Sequence, residues 1–163
     1  MRNPLLAVLA VLATLALVSC GAPSTPDFVR KAAASDLYEV AAGKIASEKG
    51  QSEAVKKFGA HMIEAHSKTT EELKGIVQAE KLDVKLPTEV NGKHKKMLDA
   101  LTAAKPEDFD RLYIKQQVKA HSKASELFDA YAERGENAAL KQFAANTLPA
   151  IKQHLEEAEK LKP

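Results

Sequence analysis

The sequence predicts an all-α protein, a four-helix bundle built from two helical hairpins, and three observations favour it. Alanine, lysine, glutamate, leucine and glutamine dominate from residue 26 onwards, and all are good helix formers. Apolar residues recur at alternating steps of four and three, which places them on one face of a helix. One helix–turn–helix pattern occurs twice, with its turn at Gly50 and again at Gly135. Two matching hairpins indicate a bundle that arose by duplication.

Start and stop signals divide this part of the chain into five predicted helices. Thr25-Pro26-Asp27 joins a capping hydroxyl to a proline at the first helical position, and Gly50 ends that helix. Ser52 and Asn137 are capping residues for the second and fifth helices. Pro149 falls inside the fifth helix and predicts a kink or a break there. The predicted spans are 26–49, 53–81, 89–103, 106–134 and 138–161.

The short third helix and its loop connect the two hairpins. At about 1.5 Å per residue, this link is long enough to cross most of the height of the bundle. A link of that kind gives the ferritin-like connection, with two hairpins joined by a short crossover helix. A plain up-down-up-down bundle is the alternative.

Each long helix places one ionisable residue on its inward side. His66, His121 and His154 fall in the apolar seams of the second, fourth and fifth helices, and Glu39 falls on a face of small residues in the first. Residue counts from the turn glycines put all four near mid-height, with a spread of about 10 Å at ~1.5 Å per residue. We expect the other two histidines, His61 and His94, to be solvated among charged neighbours. The four inward residues are therefore the candidate functional set.

Three interpretations of these inward residues are open. In one, Glu39, His66, His121 and His154 bind a single zinc, iron or copper ion, since imidazole with one carboxylate suits these metals. In another, which the sequence favours because core histidines are usually structural, they form a hydrogen-bonded layer that fixes helix register. A layer of buried histidines that charges near neutral pH is the third.

Five motifs in the helices together match a known family. They are Val55-Lys56-x-Phe58-Gly59, Met62-x-x-x-His66, Phe109-Asp110-x-x-Tyr113, His121, and Leu148-Pro149-x-Ile151-x-x-His154-Leu155. On these residues the chain resembles a bacterial family known only as domain of unknown function 4142, over about residues 27–161. The resemblance implies a ferritin-like fold and an exported, outer-membrane protein of unassigned activity.

The chain departs from the metal pattern of ferritin-like di-iron proteins. Those proteins take Glu-x-x-His from two of their helices. Here Ile63, Val118 and Ile151 stand three residues before the three histidines. A carboxylate-bridged di-iron site is therefore not expected, and a mononuclear site is the metal hypothesis that survives.

The first residues predict export. Arg2 precedes an apolar run from Leu5 to Val18, which is the layout of a signal peptide. The run ends in Leu17-Val18-Ser19-Cys20, which resembles the lipobox of bacterial lipoproteins, in which the cysteine is lipidated and becomes the mature N-terminus. We therefore predict a signal peptide over 1–19, a lipidated Cys20 with a tether over 20–25, and a helical-bundle domain over 26–163.

Two further features of the sequence bear on where the protein acts and on what it binds. Gly21, rather than aspartate, follows Cys20, which favours the outer membrane over the inner one. With 24 Lys and Arg against 22 Asp and Glu, the charge gives no case for nucleic-acid binding. The lipid bilayer is thus the one partner that the sequence predicts, and the protein partner is unknown.

These observations predict a membrane-anchored envelope lipoprotein that faces the periplasm and has no enzymatic activity. The sequence shows no Gly-x-Ser-x-Gly, no phosphate-binding loop and no His-Glu-x-x-His. We interpret it as a structural or stress-related interaction module. The alternative is a metal-binding ferritin-like protein with a mononuclear His/Glu site inside the bundle.

Overall fold

The computed structural model describes residues 23–90 and 92–163 and is all-α over these ranges, as predicted. Its helices are α1 (Thr25–Lys49), α2 (Glu53–Ala79), α3 (Gly92–Ala103), α4 (Pro106–Arg134) and α5 (Ala138–Lys160). The predicted signal peptide, Cys20 and the first tether residues lie outside the described residues. None of the described helices is both long and apolar enough to cross a membrane.

The starts of α2 and α5 follow the capping signals in the sequence, but the predicted cap at Thr25 is wrong, because Thr25 is the first helical residue and its hydroxyl contacts Tyr131. The Ser52 side chain accepts a hydrogen bond from the backbone N–H of Val55, and the Asn137 side chain accepts one from Leu140. α4 has the predicted bounds, and each of the other helices differs from its prediction by one to three residues at one end. Local capping chemistry therefore sets where α2 and α5 start.

α5 runs continuously through Pro149, so the helix is not broken there. Proline cannot donate to the carbonyl four residues earlier, which is that of Ala145. Both Ala145 and Pro149 are exposed. The carbonyl that loses its helical partner therefore belongs to the solvent-exposed side of the helix, where the lost bond is least costly.

Hydrogen bonds between α1 and α4 show that these two helices are antiparallel. Thr25, at the start of α1, contacts the Tyr131 hydroxyl near the end of α4 at 2.6 Å. Further along α1, the Tyr38 hydroxyl donates to Gln116, much earlier in α4, at 2.9 Å. As residue numbers rise along α1, the numbers of their partners in α4 therefore fall.

α2 and α5 are antiparallel as well, which settles the connection. Glu80, just past α2, accepts a hydrogen bond from Asn137 at the start of α5, whereas His61 of α2 lies 3.6 Å from the carboxylate of Glu157. Since each hairpin is itself antiparallel, α2 and α4 run in the same direction. The segment between them, with α3, must cross the height of the bundle, so the connection is ferritin-like and the up-down alternative is wrong.

Two apolar clusters fill the bundle, and buried polar residues separate them. The first cluster includes Phe28, Leu73, Phe128, Tyr131 and Phe143, and the second includes Tyr38, Val55, Met62, Phe109 and Tyr113. In each long helix, buried polar residues fall at or near the boundary between the two clusters along the chain, and Asp110, between Phe109 and Tyr113, is an exception. Six of these residues form what we call the polar layer: Asp36, Glu39, His66, Gln117, His121 and His154.

A close crossing of α1 and α2 holds one side of this layer. A methyl group at Gly59 would lie 2.8 Å from the carbonyl oxygen of Gly43, and one at Gly43 would lie 2.6 Å from the carbonyl oxygen of Gly59. Only glycine at both positions lets the two backbones approach so closely. This approach brings the acidic residues of α1 up to His66 on α2.

Candidate metal centre

Three histidines from three helices meet inside the polar layer. One ring nitrogen from each of His66, His121 and His154 lies within 4.8 Å of those from the other two. Their ring centroids are 5.4–5.7 Å apart, and each residue is at most 6% exposed. The structure therefore brings together three of the four predicted site residues.

Each of these histidines has one buried ring nitrogen with no hydrogen-bond partner among the described residues. The nitrogens are Nε2 of His66, Nε2 of His121 and Nδ1 of His154. A buried polar atom left unpaired costs about 1–3 kcal/mol. Hydrogen bonds among the described residues leave these three nitrogens unpaired, and a metal ion would use such atoms as ligands.

The second ring nitrogen of two of these histidines is held by an acceptor. Nδ1 of His66 lies 2.8 Å from a carboxylate oxygen of Asp36, and Nδ1 of His121 lies 3.0 Å from the backbone carbonyl oxygen of Gln117. An acceptor at Nδ1 places the N–H there and leaves the lone pair on Nε2. Metal-binding histidines have this arrangement, with a carboxylate or a carbonyl behind the ligand.

Asp36 is the important residue that the sequence analysis missed. It is buried, and its second carboxylate oxygen accepts hydrogen bonds from the hydroxyls of Thr69 at 2.9 Å and Thr70 at 3.3 Å. The repeat offered a signal for it, because Gly50 and Gly135 stand as far apart as Asp36 and His121. Asp36 is thus the counterpart of a cluster histidine in the duplicated hairpin.

Glu39 is not part of the three-histidine cluster. Its carboxylate accepts a hydrogen bond from the side-chain amide of Gln117 at 2.8 Å, and the residue is 1% exposed. Burial raises the pKa of Glu39 to about 7, although the charge of His66 and the Gln117 hydrogen bond act in the opposite direction. The candidate ligand set among the described residues is therefore three imidazoles, without the predicted carboxylate.

The charge states of the three histidines differ. Burial lowers the pKa of His121 to about 3 and that of His154 to about 4, and the charge of His66 adds to both shifts. Burial also opposes charging of His66, but the hydrogen bond to Asp36 and the charge of Glu39 outweigh it and raise the pKa of His66. Two of the three imidazoles are thus neutral at pH 7, the form that binds metal ions.

The spacing of the nitrogens fits one small ion. Metal–imidazole bonds are about 2.0–2.1 Å long, so three nitrogens around one ion lie roughly 3.5 Å apart. The present separations are at most 4.8 Å. A shift of roughly 1 Å, which side-chain rotations supply, would bring all three nitrogens into bonding distance of one ion.

A cleft between α2 and α5 reaches the cluster from the surface. Its volume is about 330 Å³, and its lining includes the buried His66 and His154 together with the exposed His61, Lys68 and Glu72. Solvent therefore has a route to two of the three candidate ligands.

The two remaining histidines differ from each other. His61 is exposed, as predicted. His94 is half-buried, so its predicted solvation is wrong: its ring stacks on that of Tyr38, with centroids 5.0 Å apart and an interplanar angle of 23°. The apolar surface that Tyr38 offers to α3 could not be seen from the charged neighbours of His94 in the sequence.

Comparisons with known proteins agree with this architecture. A family model described as "Domain of unknown function (DUF4142)" matches residues 14–161. A solved structure titled "CopM in the Cu(I)-bound form" aligns with a TM-score of 0.69 at 16% identity, covering 85% of this chain and 94% of that chain. At that identity the likeness shows the fold alone. No curated protein matches the chain.

Proposed function

The chain belongs to the family described as "Domain of unknown function (DUF4142)", and we propose that it binds one copper(I) ion through His66, His121 and His154. One observation carries the proposal: three buried histidines on three helices each bring one ring nitrogen within 4.8 Å of the others, and each has a buried ring nitrogen with no partner among the described residues. The acceptors behind His66 and His121 support it, because they orient the two rings with their lone pairs toward the cluster.

The donor set favours copper in its monovalent state. Imidazole suits zinc, copper, iron and nickel alike, so the residue type alone does not choose among them. The cluster supplies no negative ligand, and a buried divalent ion without one carries a large desolvation penalty. A monovalent ion that accepts three ligands carries a smaller penalty. The similarly folded structure that is titled as Cu(I)-bound is a further point in favour of copper.

Metal content of the tag-free mature protein tests the proposal. The wild type and a His66→Ala, His121→Ala double variant are loaded separately with copper(I), zinc and iron(II), desalted, and analysed by inductively coupled plasma mass spectrometry. We expect close to one copper per wild-type chain and almost none in the double variant. His94→Ala is the matched control, because it removes a half-buried histidine outside the cluster, and it should retain the metal.

Other results would count against the proposal in different ways. Zinc or iron at one per chain, lost in the double variant, would keep the site and correct the metal. No metal in the wild type, or equal metal in both proteins, would overturn the site and return the cluster to the register-fixing interpretation.

We also propose that the bundle acts at the outer membrane, anchored through a lipidated Cys20. The support is the lipobox-like Leu17-Val18-Ser19-Cys20 and the short separation in sequence between Cys20 and the start of α1 at Thr25. Acyl chains contribute about 0.8 kcal/mol per buried CH₂, so a multiply acylated cysteine anchors stably. The replacement Cys20→Ser should move the protein from the membrane fraction to the soluble one. Retention in the membrane fraction would contradict the anchor.

The interpretation as a structural or stress-related interaction module stays a prediction. It accounts for an anchored bundle that lacks catalytic motifs. It does not explain why three buried histidines converge with unpaired ring nitrogens. Metal binding explains this, because the ion would bond to those nitrogens. Metal binding is therefore the function that the geometry of this domain supports best.

A further inference from the structure

A second pair of side chains of metal-ligating types lies beside the cleft, whose lining includes His61 but not Glu157. His61 of α2 has 45% of its side chain exposed, and Glu157 of α5 has 36%. Nδ1 of His61 lies 3.6 Å from a carboxylate oxygen of Glu157. One histidine and one carboxylate from facing helices thus meet where solvent reaches them.

This pair is in direct contact with the buried cluster. The ring of His61 packs edge-on against that of His154, with centroids 5.0 Å apart and an interplanar angle of 82°. The cleft is lined by His61, His154 and His66, and His61 is the exposed one of the three. An ion that enters from solvent would therefore meet His61 before any of the three cluster ligands.

Building on the proposed function, we propose that His61 and Glu157 form a metal-entry site that takes the ion from solvent and passes it to His154. An imidazole nitrogen of His61 and a carboxylate oxygen of Glu157 first replace two ligands of the incoming ion. The free Nδ1 of His154 then bonds to the ion as the carboxylate leaves, and His66 and His121 displace His61. The ion keeps its charge and its electrons throughout, because every step exchanges one ligand for another.

An entry site changes rates and leaves the affinity alone. Without it, the ion must lose its solvent or carrier ligands before the buried nitrogens can replace them, and stripping an ion of its ligands is costly. Exchange one ligand at a time lowers that barrier. Since His61 and Glu157 hold the ion in neither the free nor the final bound state, their removal should slow uptake and release by the same factor.

Stopped-flow transfer of copper(I) from its bicinchoninate complex tests the proposal on the mature protein. We expect His61→Ala to slow both uptake and release at least tenfold and Glu157→Gln to slow both by a smaller factor, with the dissociation constant unchanged in both. Glu64→Gln is the matched control: Glu64 is exposed on α2 and loses the same charge, but it is not the carboxylate that lies beside His61. It should transfer copper at the wild-type rate.

Two results would overturn the entry site while the proposed function stands. Wild-type rates in both His61→Ala and Glu157→Gln would show that copper enters without them. A weaker dissociation constant with an unchanged uptake rate in His61→Ala would make His61 a permanent ligand instead. Failure of the proposed function looks different, because the wild type itself would then take up no copper, or the His66→Ala, His121→Ala variant would still take it up.

Discussion

Replacing His121 with leucine is expected to abolish tight copper(I) binding while leaving the metal-free protein at least as stable as the wild type. His121 supplies one of only three candidate ligands, and it is 1% exposed. Loss of one ligand in three should weaken binding at least about 1000-fold, which corresponds to roughly 4 kcal/mol. Competition with a chromogenic copper(I) chelator measures this change.

The expected stability follows from the unpaired nitrogen. Nε2 of His121 has no partner among the described residues, and such an atom costs about 1–3 kcal/mol when buried. Leucine removes that atom and fills the space with apolar groups. The bond from Nδ1 is lost, but its acceptor, the Gln117 carbonyl, still accepts within the helical ladder of α4. We therefore expect the free energy of unfolding to stay the same or to rise by about 1 kcal/mol.

Urea unfolding of the metal-free proteins separates metal binding from a structural role. A fall of several kcal/mol in the His121→Leu variant would show that the polar layer holds the fold together. His94→Leu is the control for removal of a histidine outside the cluster, and its copper affinity should not change. With copper present, only proteins that bind it should gain stability.

The helices could be predicted because their signals are local. Capping by Ser52 and Asn137 acts over three residues, and each prediction lies within three residues of the observed ends. The crossover could not be chosen from sequence, since both connections use the same helices. The type of connection is determined by contacts between distant parts of the chain, such as the contact of Thr25 with Tyr131.

The sequence predicted three of the histidines that lie in the candidate site, but not how its side chains are arranged. Periodicity placed His66, His121 and His154 on inward faces, and all three are buried there. Whether the three side chains meet depends on the offset between the two hairpins along the bundle axis. A residue count places the side chains only to within about 10 Å, so it does not determine this offset. Asp36 and Glu39 are nearly one turn apart on α1, so periodicity could not tell which carboxylate faces a histidine.

The role of Asp36 leads to the second large prediction, which concerns the Asp36→Asn variant. The carboxylate accepts from Nδ1 of His66 and makes that imidazole a better ligand. Asparagine keeps the shape but loses the charge. We expect copper(I) affinity at pH 7.5 to fall about 10–100-fold, the usual cost of losing a partner behind a metal-binding histidine.

The pH dependence of binding distinguishes this explanation from a loss of packing. Asp36 raises the pKa of His66, so a proton on Nε2 competes with copper below that pKa. The pKa values of His121 and His154 are lowered to about 3 and about 4, so neither competes near pH 5. Wild-type affinity should therefore fall tenfold per pH unit in mild acid, with one proton released per ion.

In Asp36→Asn the pKa of His66 should fall, since the hydrogen bond to a charged carboxylate is gone. Proton competition then begins at a lower pH, so the difference in affinity between variant and wild type should be largest at pH 7.5 and should narrow toward pH 5. Glu72→Gln, which loses a carboxylate that lines the cleft, is the control and should follow the wild-type curve. Chelator competition at several pH values gives all three curves. A release of three protons per ion, or a constant gap between Asp36→Asn and the wild type, would mean that Asp36 does not tune His66.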